Sequence, residues 1–263
     1  MATTGKAHTT RVRIFGSDKG GVGKSLAAQA AVSRVVMETG ALPLIIEVEA
    51  EPRLALIYGD AVTLFRLSAN SLEEIERNPR LLYAMWEAIG ELILAHAGEE
   101  IVVDLGANLT RALTAWLHEY GEDGPLGSGE RTDFYALTTG EANALASANN
   151  ALAYVAQALP ASRRLLLVNQ RDEHLFPLDP ASTAVRATSK PHGAEIAVLP
   201  RCMSPALAAI VDERMRLDVA MGHPIEWWAS RGMPRLEAVR AVRRLTAWAE
   251  EAMAVFAPPG APA

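Results

Sequence analysis

The run Ser17-Asp18-Lys19-Gly20-Gly21-Val22-Gly23-Lys24-Ser25 carries the most specific chemistry in the chain. Its glycines let backbone N–H groups turn inward around an anion, and a helix starting directly after them adds the positive end of its dipole. A lysine and then a hydroxyl residue at the end of such a loop serve the terminal phosphates of a nucleotide and a Mg²⁺ ion. Lys24 is therefore a candidate phosphate ligand and Ser25 a candidate Mg²⁺ ligand. The main chain of Gly20, Gly21, Val22, Gly23 and Leu26 completes the cradle.

A second group fits the same chemistry. Ile101-Val102-Val103-Asp104-Leu105-Gly106 reads as an apolar strand ending in an acid and a glycine, the Walker B arrangement. Such a carboxylate falls at the carboxyl edge of a parallel sheet, where ligands of open α/β sheets bind. Asp104 is thus a candidate for Mg²⁺ or its water shell, with Gly106-Ala107-Asn108 as a switch-like segment after it.

These residues need elements to hold them. Apolar runs predict strands at 12–15, 42–48, 62–67, 100–105, 133–137, 165–169 and 195–199. Helical patterns fall at 26–37, 81–97, 110–118, 141–159 and 236–256. Continuous runs such as Leu165-Leu166-Leu167-Val168 suit strands covered on both faces. The expectation is a single α/β domain at 11–256, with a mostly parallel twisted sheet flanked by helices. Residues 1–10 read as a flexible N-terminus, 257–263 as a disordered Pro/Ala tail and 121–129 as a surface loop.

Composition narrows the class. At 263 residues the chain can bury a large core. A net charge of −6 argues against a broadly basic nucleic-acid binder while leaving room for a local patch. No apolar run reaches the ~20 residues a membrane span needs. The lone Cys202 suits a reducing cytoplasm.

Lys19 to Ser25 match K-G-G-x-G-K-[ST] in full. The segment resembles the deviant Walker A loop of the ParA/MinD family of nucleotide-dependent dimerising ATPases. The resemblance implies an ATP–Mg²⁺ sandwich homodimer, with Lys19 reaching across the interface to the partner's nucleotide. It also implies slow ATP hydrolysis stimulated by a partner protein, in the service of partition, positioning or transfer of DNA or another cargo. In relatives the strand after the first helix ends in Asp-x-Asp, the second acid placing the attacking water; here Glu47 and Glu49 stand there. Glu49 inherits the role with one extra methylene, and a shift of about 1 Å in a catalytic group can cost about 100-fold in rate. Asp18 is a further departure, a carboxylate where the general pattern has glycine, expected to turn away and pair with Lys19 or an arginine.

The base site is open between two nucleotides. Asn169 stands where relatives touch adenine, and Pro200-Arg201 resembles the segment that closes over the base. Asn169-Gln170-Arg171-Asp172 also resembles the guanine-reading N-K-x-D, with Gln170 in the lysine position. For partners, the last helix offers an apolar stripe (Leu236, Val239, Val242, Leu245, Ala249, Ala252) and the basic residues Arg235, Arg240, Arg243 and Arg244. The arginines fit non-specific DNA, whereas an alanine-rich stripe followed by a Pro/Ala tail argues against a membrane. Trp227-Trp228 reads as either packing or a partner site. Two other classes stay open: a metabolic or maturation enzyme on the same fold, and a scaffold that uses the nucleotide structurally. One cysteine argues against a cluster-bridging reductase.

Overall fold

Alternate residues of the apolar runs go to opposite faces of one sheet. The computed structural model describes residues 11–67, 80–171 and 178–257. Its strands are β1 (Arg11–Gly16), β2 (Leu44–Glu49), β3 (Val62–Arg66), β4 (Glu100–Leu105), β5 (Thr132–Thr138), β6 (Arg163–Asn169) and β7 (Glu195–Leu199). All pairings are parallel, in the order β3-β2-β4-β1-β5-β6-β7. The seven expected strands are these seven.

The helices are α1 (Lys24–Thr39), α2 (Leu54–Tyr58), α3 (Arg80–Ala95), α4 (Thr110–Tyr120), α5 (Ala142–Ala158), α6 (Thr183–Ser189), α7 (Ala206–Asp212), α8 (Leu217–Gly222), α9 (Ile225–Ala229) and α10 (Arg235–Ala254). The five long ones match the periodic segments. The short ones, α2 and α6 to α9, are five to seven residues each, too few for a helical period to declare itself.

Period 2 splits the core. Phe15, Ile45, Val102, Tyr135, Leu165 and Leu167 face α1, α10 and the short helices α7 to α9. Val12, Ile14, Ile46, Val103, Phe134 and Leu166 face α3, α4 and α5. Phe15 and Tyr135 stack across β1 and β5 at 4.8 Å, with Phe256 edge-on to both.

The last helix corrects the expected stripe. The core takes Ala238, Ala241, Leu245, Trp248, Ala249 and Ala252, while Leu236 is 79% exposed. The packed face is set by the small residues that let α10 approach α1, rather than by the largest aliphatics. Its apolar face is occupied by the core, and among the described residues no helix is long and apolar enough to cross a membrane. The 121–129 loop is more packed than expected, because Leu126 leans on the second core cluster.

The amino edge of the sheet is ionic. Arg11 donates to Asp133 at 2.5 and 2.9 Å, Arg13 to Glu100, and Arg163 to Glu195 at 2.9 and 2.6 Å. This is how Arg13, 1% exposed, is tolerated in the central strand. The carboxyl edge, at the other end, carries the loops after β1, β2 and β4. The chain leaves β1 for β2 to β4 on one side and β5 to β7 on the other, which makes a crevice at this edge.

Candidate phosphate-binding site

Three strand ends converge on one cleft of about 240 Å³, lined among others by Gly21, Gly23, Lys24, Ser25, Glu49 and Arg53. The loop after β1 winds around it and α1 starts with Gly23 as an N-cap that makes no side-chain bond. The first N–H groups of α1 therefore have no intrahelical partner, and the residues that carry them, Lys24 and Ser25, line the cleft. Gly23 sits at φ 94, and a Cβ there would lie 2.2 Å from the Asn169 amide nitrogen. No side chain fits that position.

Two side chains from the end of β6 hold the loop. Asn169, buried, donates to the Val22 carbonyl at 2.9 Å, and Arg171 donates to the Gly21 carbonyl. From α5, Ser147 accepts from the Lys19 N–H at 2.9 Å. Asn169 is thus tied to the loop main chain. Asp172 lies outside the described residues.

Lys24 and Asp104 form the buried charged centre. Lys24 Nζ donates to the Ser17 and Lys19 carbonyls at 3.3 and 3.5 Å. Burial lowers its pKa, opposed by Asp104 and Glu49. Burial also pushes Asp104 up to about 7; the Ser25 hydroxyl bond and Lys24 oppose the shift, and Glu47 and Glu49 add to it. Asp104 Oδ1 is buried with no hydrogen-bond partner among the described residues. A buried pair driven toward neutrality, with one carboxylate oxygen unpartnered, fits a site that gains a cation and a polyanion. Ser25 and Asp104, in contact with each other, suit Mg²⁺ as hard oxygen donors.

The two glutamates of β2 do different jobs. Glu47, fully buried opposite Asp104 in the β2–β4 register, accepts from three backbone N–H groups: Arg53 at 2.6 Å, Leu54 at 2.9 Å and Ala55 at 2.8 Å. It caps α2. Glu49 points to the cleft, accepting from the Ala50 N–H at 2.9 Å. A Cβ at Gly106 would lie 3.2 Å from both Glu49 carboxylate oxygens and 2.9 Å from the Val48 carbonyl. The glycine after Asp104 thus makes room for Glu49. Asn108, two residues further on, holds a left-handed conformation at φ 64.

Asp18 does not pair with Lys19. Its Oδ1 is buried without a partner among the described residues, and burial raises its pKa against the pull of Lys24. Lys19 reaches instead to Glu141, 3.6 Å away and about as exposed. Sequence reasoning missed Arg53 and gave Arg171 no role of its own within the N-K-x-D-like run. The only signal was a basic residue a few positions beyond the ends of β2 and β6.

The remaining candidates lie apart. The Pro200 carbonyl accepts from Trp248 Nε1 at 2.7 Å, which fixes the segment after β7, and Arg201 follows it half-buried. Arg235, Arg240, Arg243 and Arg244 all lie on the exposed side of α10. Trp228 is core, whereas Trp227 is sandwiched by His223, stacked at 4.0 Å, and Arg231, 3.3 Å over its ring.

No protein-family model and no curated protein matches the chain. Solved structures similar to it include the MinD cell division protein of Aquifex aeolicus, 13% identical, covering 90% of this chain and 97% of that one at a TM-score of 0.48. An ATP complex of a Cyanothece McdA variant is 13% identical over 94% and 97% of the two chains, at 0.44. A putative plasmid partition protein from Borrelia burgdorferi bound to AMPPNP is 13% identical over 72% and 86%, at 0.43.

Proposed function

We propose that this chain is a cytoplasmic ParA/MinD-like ATPase that dimerises around ATP–Mg²⁺ and hydrolyses it slowly. The observation that carries the reading is the meeting of Lys24, Ser25 and Asp104 where the start of α1 faces the end of β4, with the partly exposed Lys19 earlier in the same loop. In this reading the loop amides and Lys24 bind the phosphates, and Ser25 and Asp104 hold Mg²⁺. Mg²⁺, when bound, neutralises charge on the transferring phosphoryl oxygens. Glu49 orients the attacking water. Lys19 leaves Glu141 and reaches the nucleotide of the second copy. Asn169 supports the base side through its grip on the loop, with Pro200 and Arg201 closing over the base. The outward arginines of α10 suit weak, salt-sensitive contact with DNA, and an unidentified partner stimulates turnover for partition or positioning of cargo.

ATP should double the mass of the wild type in light scattering, and Lys19→Ala should remove that change while leaving ATP binding intact. Phosphate release should depend on Lys24. An unchanged mass with ATP bound would refute the dimer switch. Steady turnover by Lys24→Ala would refute the site. Glu47 is committed to α2, so Glu49 is the one carboxylate of the pair left to face the cleft.

A further inference from the structure

A second concavity adjoins the phosphate cleft. α1, α2 and α7 enclose a groove of about 310 Å³ whose walls are Leu26, Leu56, Ile57, Ile210 and Val211. Leu56 and Val211 are 49% and 62% exposed. Among the described residues, the only charged ones lining it are Arg53 and Arg214. In a chain of net charge −6, an apolar groove with a purely cationic rim selects for an apolar anion.

The rim is built rather than incidental. Arg214 sits at φ 53, a left-handed conformation that an L side chain adopts at a cost. Three bonds hold that turn: the Arg214 N–H donates to the Val211 carbonyl at 3.2 Å, the Met215 N–H to the Ile210 carbonyl at 2.9 Å, and buried Gln29 to the Met215 carbonyl at 3.0 Å. Arg53 follows from the Glu47 cap, which fixes the start of α2. Ser25 and Arg53 line both the groove and the phosphate cleft, so a molecule in the groove lies next to the phosphates. A space of this size, mostly apolar with few polar groups, is the form of a small-molecule site, and guanidinium groups match carboxylates.

We propose that this groove binds a small amphipathic carboxylate, with its apolar body against Leu56, Ile57 and Val211 and its carboxylate at the arginine rim. The site goes beyond the nucleotide reading and rests on it only for adjacency to the phosphates.

The probe is octanoate, titrated calorimetrically below its micellar range into the nucleotide-free full chain, with octylamine as the charge-reversed control. Octanoate should bind one to one with a Kd below about 1 mM, and octylamine should not bind. Arg214→Gly suits the left-handed backbone while removing the guanidinium, and Val211→Glu sets an acid on an exposed rim position. Each should weaken octanoate about tenfold or more and leave ATP affinity within about twofold of the wild type. Equal binding of octylamine, octanoate affinity unchanged by Val211→Glu, or no octanoate binding overturns the proposal. If octanoate fails and Val211→Glu also blocks the ATP-dependent mass change, the groove belongs to a second copy of the chain. ATP is titrated in parallel, so a failure of the nucleotide reading shows as lost ATP binding whatever octanoate does.

Discussion

Asp104→Asn should stabilise the nucleotide-free protein at pH 8 and, if the proposed ATPase reading holds, remove Mg²⁺-dependent phosphate release. Asp104 is 3% exposed, and burial pushes it from 3.8 to about 7. Between those two values the folded chain holds a proton that the unfolded chain has released. Folding therefore takes up a proton, and stability falls as pH rises from about 4 to about 7, then stays level above it. This is the reverse of an ordinary ion-paired aspartate. Three pH units at about 1.4 kcal/mol each set a ceiling of about 4 kcal/mol. The neutral amide avoids that cost, but Lys24 loses the charge that most supports its protonated form. A net gain of about 1–3 kcal/mol at pH 8 is expected. Urea unfolding in EDTA at pH 5, 6, 7 and 8, followed by tryptophan fluorescence, measures it. The advantage of the variant should grow from pH 5 to 7 and then level off. A gain independent of pH, or a variant less stable than the wild type at pH 8, would show that burial does not dominate this carboxyl.

Glu47→Gln should cost about 1–3 kcal/mol in urea unfolding, because one carboxylate serves three backbone N–H groups, and Glu47→Asp should cost as much by falling short of α2. Glu100→Ala should cost about 3 kcal/mol, since Arg13 would be left buried and unpaired; an effect under about 0.5 kcal/mol would show that water reaches it. Asp18→Asn should tighten ATP binding several-fold in calorimetry by removing a carboxylate close to Lys24. Glu141→Gln should favour the ATP dimer by no more than about fivefold in sedimentation, because the Lys19–Glu141 pair is exposed.

The strands and long helices were legible because each spans several periods of its own pattern, and the glycine-rich turn between β1 and α1 because its glycines and lysines form a dense local signature. Glu47 was not legible. In the sequence it looks like half of an acidic pair at a strand end, and only the five-residue helix that follows shows what its extra methylene reaches. Asn169 was legible as the polar end of a buried strand but not in its grip on Val22, which depends on how β6 lies beside β1's loop across β5. The stripe of α10 misled for a related reason. Helical spacing allows more than one face, and the choice of Ala238, Ala241 and Trp248 over Leu236 is made by close packing on α1.

Arg53 ties these observations together. The Glu47 cap fixes its main chain, its side chain borders both concavities, and its charge works against protonation of Lys24. A carboxylate bound at Arg53 offsets that charge and leaves Lys24 more fully protonated, which favours a polyanion in the cleft; its own negative charge beside the phosphates acts the other way. Whichever effect is larger, linkage requires that octanoate alter ATP affinity by the factor with which ATP alters octanoate affinity. Arg53→Ala should bring that factor close to one, and an undiminished coupling in this variant would place the link between the two concavities in Ser25 and the first turn of α1.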